Sequence, residues 1–285
     1  MKNYAILFAL LAAVLYAINI PCSKLLLESV DEVMIASFLY LGAGIGMFLL
    51  RLLHKYSNKE NEKNLQRKDL PYTILMVVLD IAAPIFLMIG LNLSNPENVS
   101  LLNNFEIAAT AVIAYIFFKE NISKKLTISI ILVTSACIIL SFENFNAFKF
   151  SYGSIFVLLA ALCWGIENNC TRKISDKDPL QIVMIKGIFS GLGSLIIALT
   201  VKEDIPDFKN IIITLILGFV SYGLSIYFYV KAQRYLGAAK TSTYYAITPF
   251  VGVVLSLIVF KTMPQWTFYI ALGFMILGTF FAVED

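Results

Sequence analysis

Of 285 residues, 59% are hydrophobic and only 14% charged, and the mean hydropathy of +0.80 lies far from the balance of a water-soluble globular domain. The net charge of +3 is scattered through polar connectors, which argues against a nucleic-acid partner, and the lone histidine, His54, sits in a Lys-rich loop, which argues against His-centred catalysis or metal binding. Cys22, Cys137, Cys163 and Cys170 fall in or beside apolar runs without disulfide or zinc spacing, so no metal or other cofactor is expected.

Apolar runs near 20 residues recur along the chain, long enough for a helix rising about 1.5 Å per residue to cross about 30 Å of hydrocarbon. They predict spans at 4–27, 33–53, 70–91, 97–118, 124–142, 152–172, 180–201, 209–231, 238–260 and 266–283. The first reads as a retained span rather than a signal peptide, because no small-residue cleavage site follows it and nine more runs do. In the second, Gly42 and Gly46 have the spacing that lets helices approach closely. The stretch 51–69 is the one sizeable hydrophilic connector. The third span carries Asp80 near its middle, with Pro84 one turn on and able to kink the helix. In the fourth, Asn103, Glu106 and Thr110 lie at helical spacing on one predicted face. The sixth places Trp164, Glu167, Asn168 and Thr171 together. The seventh holds Lys186 on a face with Ser190 and Gly193, and the ninth carries Tyr245, Thr248 and Gly252.

With the amino terminus inside, sixteen of the 22 basic residues fall on the cytoplasmic side, five on the other, and Lys186 within a span. That bias follows the positive-inside rule and predicts a multi-pass protein of the cytoplasmic membrane with both termini in the cytoplasm.

The chain also repeats itself. Laying 4–24 over 152–172 at an offset of 148 gives eight identities in 21 positions, among them Tyr4/Tyr152, Phe8/Phe156 and Cys22/Cys170, with Tyr16 over Trp164 and Lys24 over Arg172. Gly42/Gly44 correspond to Gly191/Gly193, and Phe118-Lys119 to Phe260-Lys261 at an offset of 142. The predicted fold is an all-α integral membrane protein with ten transmembrane helices as two inverted five-helix repeats, over 1–143 and 150–285. An odd number of spans inserts the second copy upside down, which favours a site near the bilayer midplane between the halves.

At this point the chain resembles the EamA-type transporters of the drug/metabolite transporter superfamily over nearly its whole length. The first helix of each half looks like the family's aromatic-small pair with a basic end: Tyr16-Ala17 with Lys24, and Trp164-Gly165 with Arg172-Lys173. The fourth helix of each half looks like its Glu-Pro run. The first copy keeps Glu106 with Ile107 in place of proline, and the second keeps Pro249 with Thr248 in place of glutamate. The resemblance implies a 5+5 helix bundle that exports amino acids or related small metabolites.

Ionisable residues at membrane depth cost about 2.5–3.5 kcal/mol by insertion scales, so they face the bundle interior and mark pathways. The substrate-binding candidates are Glu106, Asn103, Thr110, Asp80, Trp164, Glu167, Asn168, Lys186, Tyr245 and Thr248. Each has a structural alternative as interhelical glue, and Glu167 with Lys186 as an ion pair. The expected activity is secondary transport, as an exporter of small polar or amphipathic metabolites by alternating access. Glu106 and Asp80 would then bind a cationic group or exchange protons. The partners are a small-molecule substrate and the lipid bilayer. An intramembrane lipid-modifying enzyme would need a nucleophile and base, or a metal set; a scaffold or receptor would call for a signalling domain, yet the longest loop is under 20 residues.

Overall fold

The computed structural model describes residues 2–57, 63–119, 122–144, 149–236, 241 and 244–283. Eight helical stretches are long and apolar enough to cross a membrane: Tyr4–Leu26, Glu32–Leu53, Arg67–Asn92, Pro96–Phe117, Lys124–Ser141, Tyr152–Ile174, Pro179–Thr200 and Phe208–Ala232. Two shorter apolar helices, Thr248–Phe260 and Trp266–Ala282, follow. The protein is thus a helical, multi-pass membrane protein.

Several predicted spans are not single helices. The first is divided into α1 (Lys2–Ala17) and α2 (Asn19–Leu26) at Ile18. Pro21 has no N–H for the Ala17 carbonyl, and its ring crowds that oxygen, so the ladder breaks one turn before it. The second and third spans are α3 (Glu32–Ser57) and α4 (Leu70–Asn92), the latter continuous through Pro84. The fourth is divided into α5 (Pro96–Leu102) and α6 (Phe105–Phe118). Between them the Glu106 and Ile107 amides bond to Asn103 and Asn104 carbonyls three residues back, at 3.1 Å each, which tightens the turn. Asn103, Glu106 and Thr110 therefore do not share one continuous helical face as predicted.

Next come α7 (Lys124–Ser141), α8 (Tyr152–Ile174), α9 (Pro179–Thr200) and α10 (Phe208–Gly218). A π-helical stretch, Phe219–Leu224, joins α10 to α11 (Ser225–Leu236). Within the predicted ninth span, 238–240, 242 and 243 lie outside the described residues, and a turn at Ala246–Ile247 precedes α12 (Thr248–Phe260). Pro249 cannot donate to the Tyr245 carbonyl, and the Thr248 hydroxyl takes over that acceptor at 2.6 Å. The last helix is α13 (Trp266–Val283). One departure from an all-helical chain is a short antiparallel pair, β1 (Phe142–Asn144) with β2 (Lys149–Phe150), in the connector between α7 and α8. Edge-paired strands there satisfy backbone groups in a turn that the apolar periodicity does not reach.

The main helix pairings are α3 with α9, α4 with α8, α7 with α13, α1 with α11, and α6 with α8, while α12 packs on α1 and α5. Glycine sets the closest approach: a Cβ on Gly187 of α9 would lie 2.2 Å from the Gly44 nitrogen of α3, and one on Gly165 of α8 2.7 Å from the Ala109 Cβ of α6. Connectors gather at two ends. At one, the Asp178 amide donates to the Lys63 carbonyl (2.9 Å) and the Leu65 amide to Gln181 (2.9 Å). At the other, Lys24 donates to the carbonyls of Leu91, Asn92 and Ser94 at 2.6, 3.0 and 3.1 Å, capping α4 with positive charge. There too, Glu203 accepts from the Val33 and Met34 amides at the start of α3 (3.1 and 2.7 Å).

Candidate functional site

Two polar regions lie inside the bundle, and α8 contributes to both. Its Glu167 faces α9, where the Lys186 ammonium sits 3.0 Å from Glu167 Oε1 and 3.2 Å from Asp80 Oδ2 of α4. All three residues are buried. Tyr40 of α3 donates to Asp80 Oδ1 at 2.8 Å, and Thr171 donates to Glu167 one turn along α8. One lysine thus serves two carboxylates, each steadied by a hydroxyl, and the expected Glu167–Lys186 pair is a cluster of three charges. Asp80, a substrate-binding candidate from the sequence, is the third member.

The next residue, Asn168, turns about 100° around α8 and faces α6. Its amide donates to Glu106 Oε1 at 2.6 Å and to the Thr110 hydroxyl at 3.4 Å. Asn169 donates to the Thr110 and Gly165 carbonyls (3.1 and 2.9 Å), locking α6 to α8 where Gly165 permits contact. The far side of Glu106 lines a small cavity of about 50 Å³, room for water or a small solute group. Its walls come from α1 (Tyr16, Ala17), the tightened turn after α5 (Asn103, Asn104), and the segment of Tyr245, Thr248 and Pro249. The Asn103 amide donates to the Tyr16 hydroxyl at 3.5 Å, and its buried Oδ1 has no hydrogen-bond partner among the described residues.

Aromatic rings connect the two regions. Tyr40, bonded to Asp80, packs on Tyr222 at 5.0 Å between centroids. Tyr222 meets Tyr16 edge-on at 5.6 Å and accepts from Asn19 at 3.2 Å. Tyr16 in turn contacts Tyr245 at 6.2 Å and Trp164 at 6.4 Å. The charges of Glu167 and Lys186 are near enough to act on Glu106.

The ten candidate residues therefore fall into neighbouring groups. Glu106, Asn103, Tyr245 and Thr248 line the cavity. Thr110 and Asn168 stand behind Glu106, Trp164 packs against Tyr16, and Asp80, Glu167 and Lys186 form the ion cluster. Sequence reasoning missed Tyr40 and Tyr222 as the links, and gave Tyr16 no role at the site. Their signal is position. A tyrosine near the middle of an apolar run stands away from the interfacial belt, and its hydroxyl needs an internal partner.

The model of the EamA-like transporter family matches the chain twice, over residues 3–142 and 151–283. An uncharacterized transporter of Methanothermobacter thermautotrophicus is 24% identical over 268 residues, spanning 88% of this chain and 77% of that protein. An uncharacterized transporter of Clostridium kluyveri is 23% identical across 98% of this chain and 92% of its own length. A solved crystal structure superposes over 100% of this chain and 98% of its own with a TM-score of 0.72 at 12% identity, a likeness of fold.

Proposed function

The chain belongs to the EamA-like transporter family, and from that premise we propose that it is a secondary transporter exporting small polar or amphipathic metabolites, amino acids among them, across the cytoplasmic membrane by alternating access. The substrate enters the cavity at Glu106, where Asn103, Tyr245 and Thr248 supply the other walls. The observation that carries this reading is the origin of those walls. At the repeat offset of 142, Asn103 corresponds to Tyr245 and Glu106 to Thr248, so the cavity lies between equivalent broken helices of the two halves.

An architecture of ten spans in two inverted halves, 1–143 and 150–285, is part of the proposal, and several features support it. The two family matches divide the chain at the same place. Exchanging the halves converts the α4–α8 pairing into α11–α1, and α6–α8 into α12–α1, while α3–α9 and α7–α13 map onto themselves. Lys119 and Lys261, equivalent residues, both end their helices in left-handed conformation, at φ 53° and 51°. A carrier built this way exposes one midplane site to either side by tilting one half against the other. The sixteen-to-five basic bias supports a topology with both termini in the cytoplasm.

Metabolites in the medium of overexpressing and deletion strains, followed by flux measurements in proteoliposomes, test the activity. A solute that accumulates outside overexpressing cells and crosses proteoliposomes only with intact Glu106 is the expected result. Equal flux through empty liposomes for every solute that differs between the strains would sink the reading.

A further inference from the structure

Resting on the transport reading and narrowing it to solutes other than amino acids, we infer that the cavity at Glu106 is built for a small organic cation that carries an ammonium group and no carboxylate. Among the described residues Glu106 is the only acid lining the cavity, and no basic side chain lines it. Lys186, the nearby cation, is engaged by Asp80 and Glu167.

The hydrogen-bonding inventory points the same way. The Ser100 hydroxyl donates to the Pro96 carbonyl, the Thr248 hydroxyl to the Tyr245 carbonyl, the Asn103 amide to Tyr16 and the Asn104 amide to Thr279. These four donors are turned into the protein, whereas acceptors are left over. Among the described residues, Asn103 Oδ1 is buried without a partner, in a residue only 7% exposed, and the Glu106 carboxylate is bonded by Asn168 through Oε1 alone. An ammonium brings three donors and no acceptor, which complements this inventory. A carboxylate would bring only acceptors and meet the charge of Glu106. The rings of Tyr16 and Tyr245 in the wall add the electron-rich surface that attracts a desolvated cation.

Three solutes that share an isobutyl unit isolate the charge: isobutylamine, valine and 3-methylbutanoate. Titrated calorimetrically into the purified full-length protein, isobutylamine should bind at least tenfold more tightly than valine, and 3-methylbutanoate should give no saturable heat. E106Q should weaken the amine at least tenfold. Should E106Q misfold, Tyr245 decides: Y245L should bind the amine about threefold or more weaker than Y245F, the share expected of a cation over an aromatic ring. Valine or 3-methylbutanoate binding as tightly as the amine, no amine binding to wild type, or equal binding by Y245L and Y245F would overturn the inference. Flux in proteoliposomes separates it from the transport reading. An amine bound through Glu106 but never moved removes transport and leaves the cation site. Valine carried through a Glu106-dependent route that isobutylamine does not inhibit keeps transport and removes the cation site.

Discussion

The ion cluster and the Glu106 cavity are built on adjacent residues of α8 and use buried charge in opposite ways. At Glu167 each carboxylate faces the same ammonium and a hydroxyl, and the groups are buried. At Glu106 one carboxylate oxygen is held by Asn168, and the residue opens on a cavity with a partnerless acceptor in its wall. Charge satisfied by protein groups fixes helices relative to one another; charge left facing a cavity can be satisfied by something that comes and goes. Depth in the membrane does not separate these two uses, and only the partners do.

The comparison breaks most visibly at Lys186. Lys186→Met leaves Asp80 and Glu167 buried without their cation, a loss of about 3–5 kcal/mol that should show as a collapse of monodisperse protein in detergent. The triple change Asp80→Asn, Glu167→Gln, Lys186→Met should regain most of it. The double change at Glu167 and Lys186 should not, because Asp80 then keeps its charge with Tyr40 alone. A double mutant as well behaved as the triple would reduce the cluster to a simple pair.

Glu106→Gln is the contrasting experiment. The side chain keeps its shape and an oxygen for Asn168, so folded yield should stay near wild type while flux falls about thirtyfold or more, the scale of removing one partner of a desolvated charge contact. A fall in folded yield matching that of Lys186→Met would place Glu106 with the structural charges.

The seam beside the cluster sharpens the same contrast. Gly187→Ala sets a Cβ against the backbone of Gly44, with nothing flexible to yield, and should lower stability by about 1–3 kcal/mol in a thermal melt. Gly273→Ala, with no atom within 4 Å of the added carbon, should be neutral or slightly stabilising. Equal melting shifts for the two would mean that α3 and α9 are not held at glycine distance.

The smallest effect belongs to a charge outside the membrane. Partial burial, ahead of repulsion from Asp31 and Glu32, raises the Glu203 carboxyl above its ordinary range although the Val33 and Met34 amides oppose this. Glu203→Ala removes that cap from α3 and should cost about 1 kcal/mol. A carboxyl raised on folding binds its proton more tightly in the folded state. Its contribution is therefore fullest below the unfolded value and declines as pH rises through the folded one. Wild type should lose this part of its stability as pH climbs above the ordinary carboxylate range, and Glu203→Gln should not; parallel melting curves would refute the assignment.

Much of this was legible in the chain. Apolar runs of membrane length marked most spans, because hydrocarbon demands an unbroken sequence of apolar residues and an internally bonded backbone. Lys186, Glu106, Asp80 and Glu167 stood out for the same reason, as groups that hydrocarbon does not tolerate without partners. The proposed repeat rests on matched residues such as Phe118-Lys119 and Phe260-Lys261.

What the tertiary structure alone decided is which partner each group found. Asp80 joins Lys186 because α4 and α9 present those faces to one another, and the rotation of a helix about its axis is set by its neighbours, here by the contact of Gly44 with Gly187. The tightened turn at Asn103 was invisible because a single short turn barely changes a 3.6-residue apolar period, yet it puts Asn103 in the cavity wall. Solvent preference acts on residues one at a time and can be read along a chain. Pairing acts between residues as far apart as Asn19 and Tyr222 and exists only once the helices have packed.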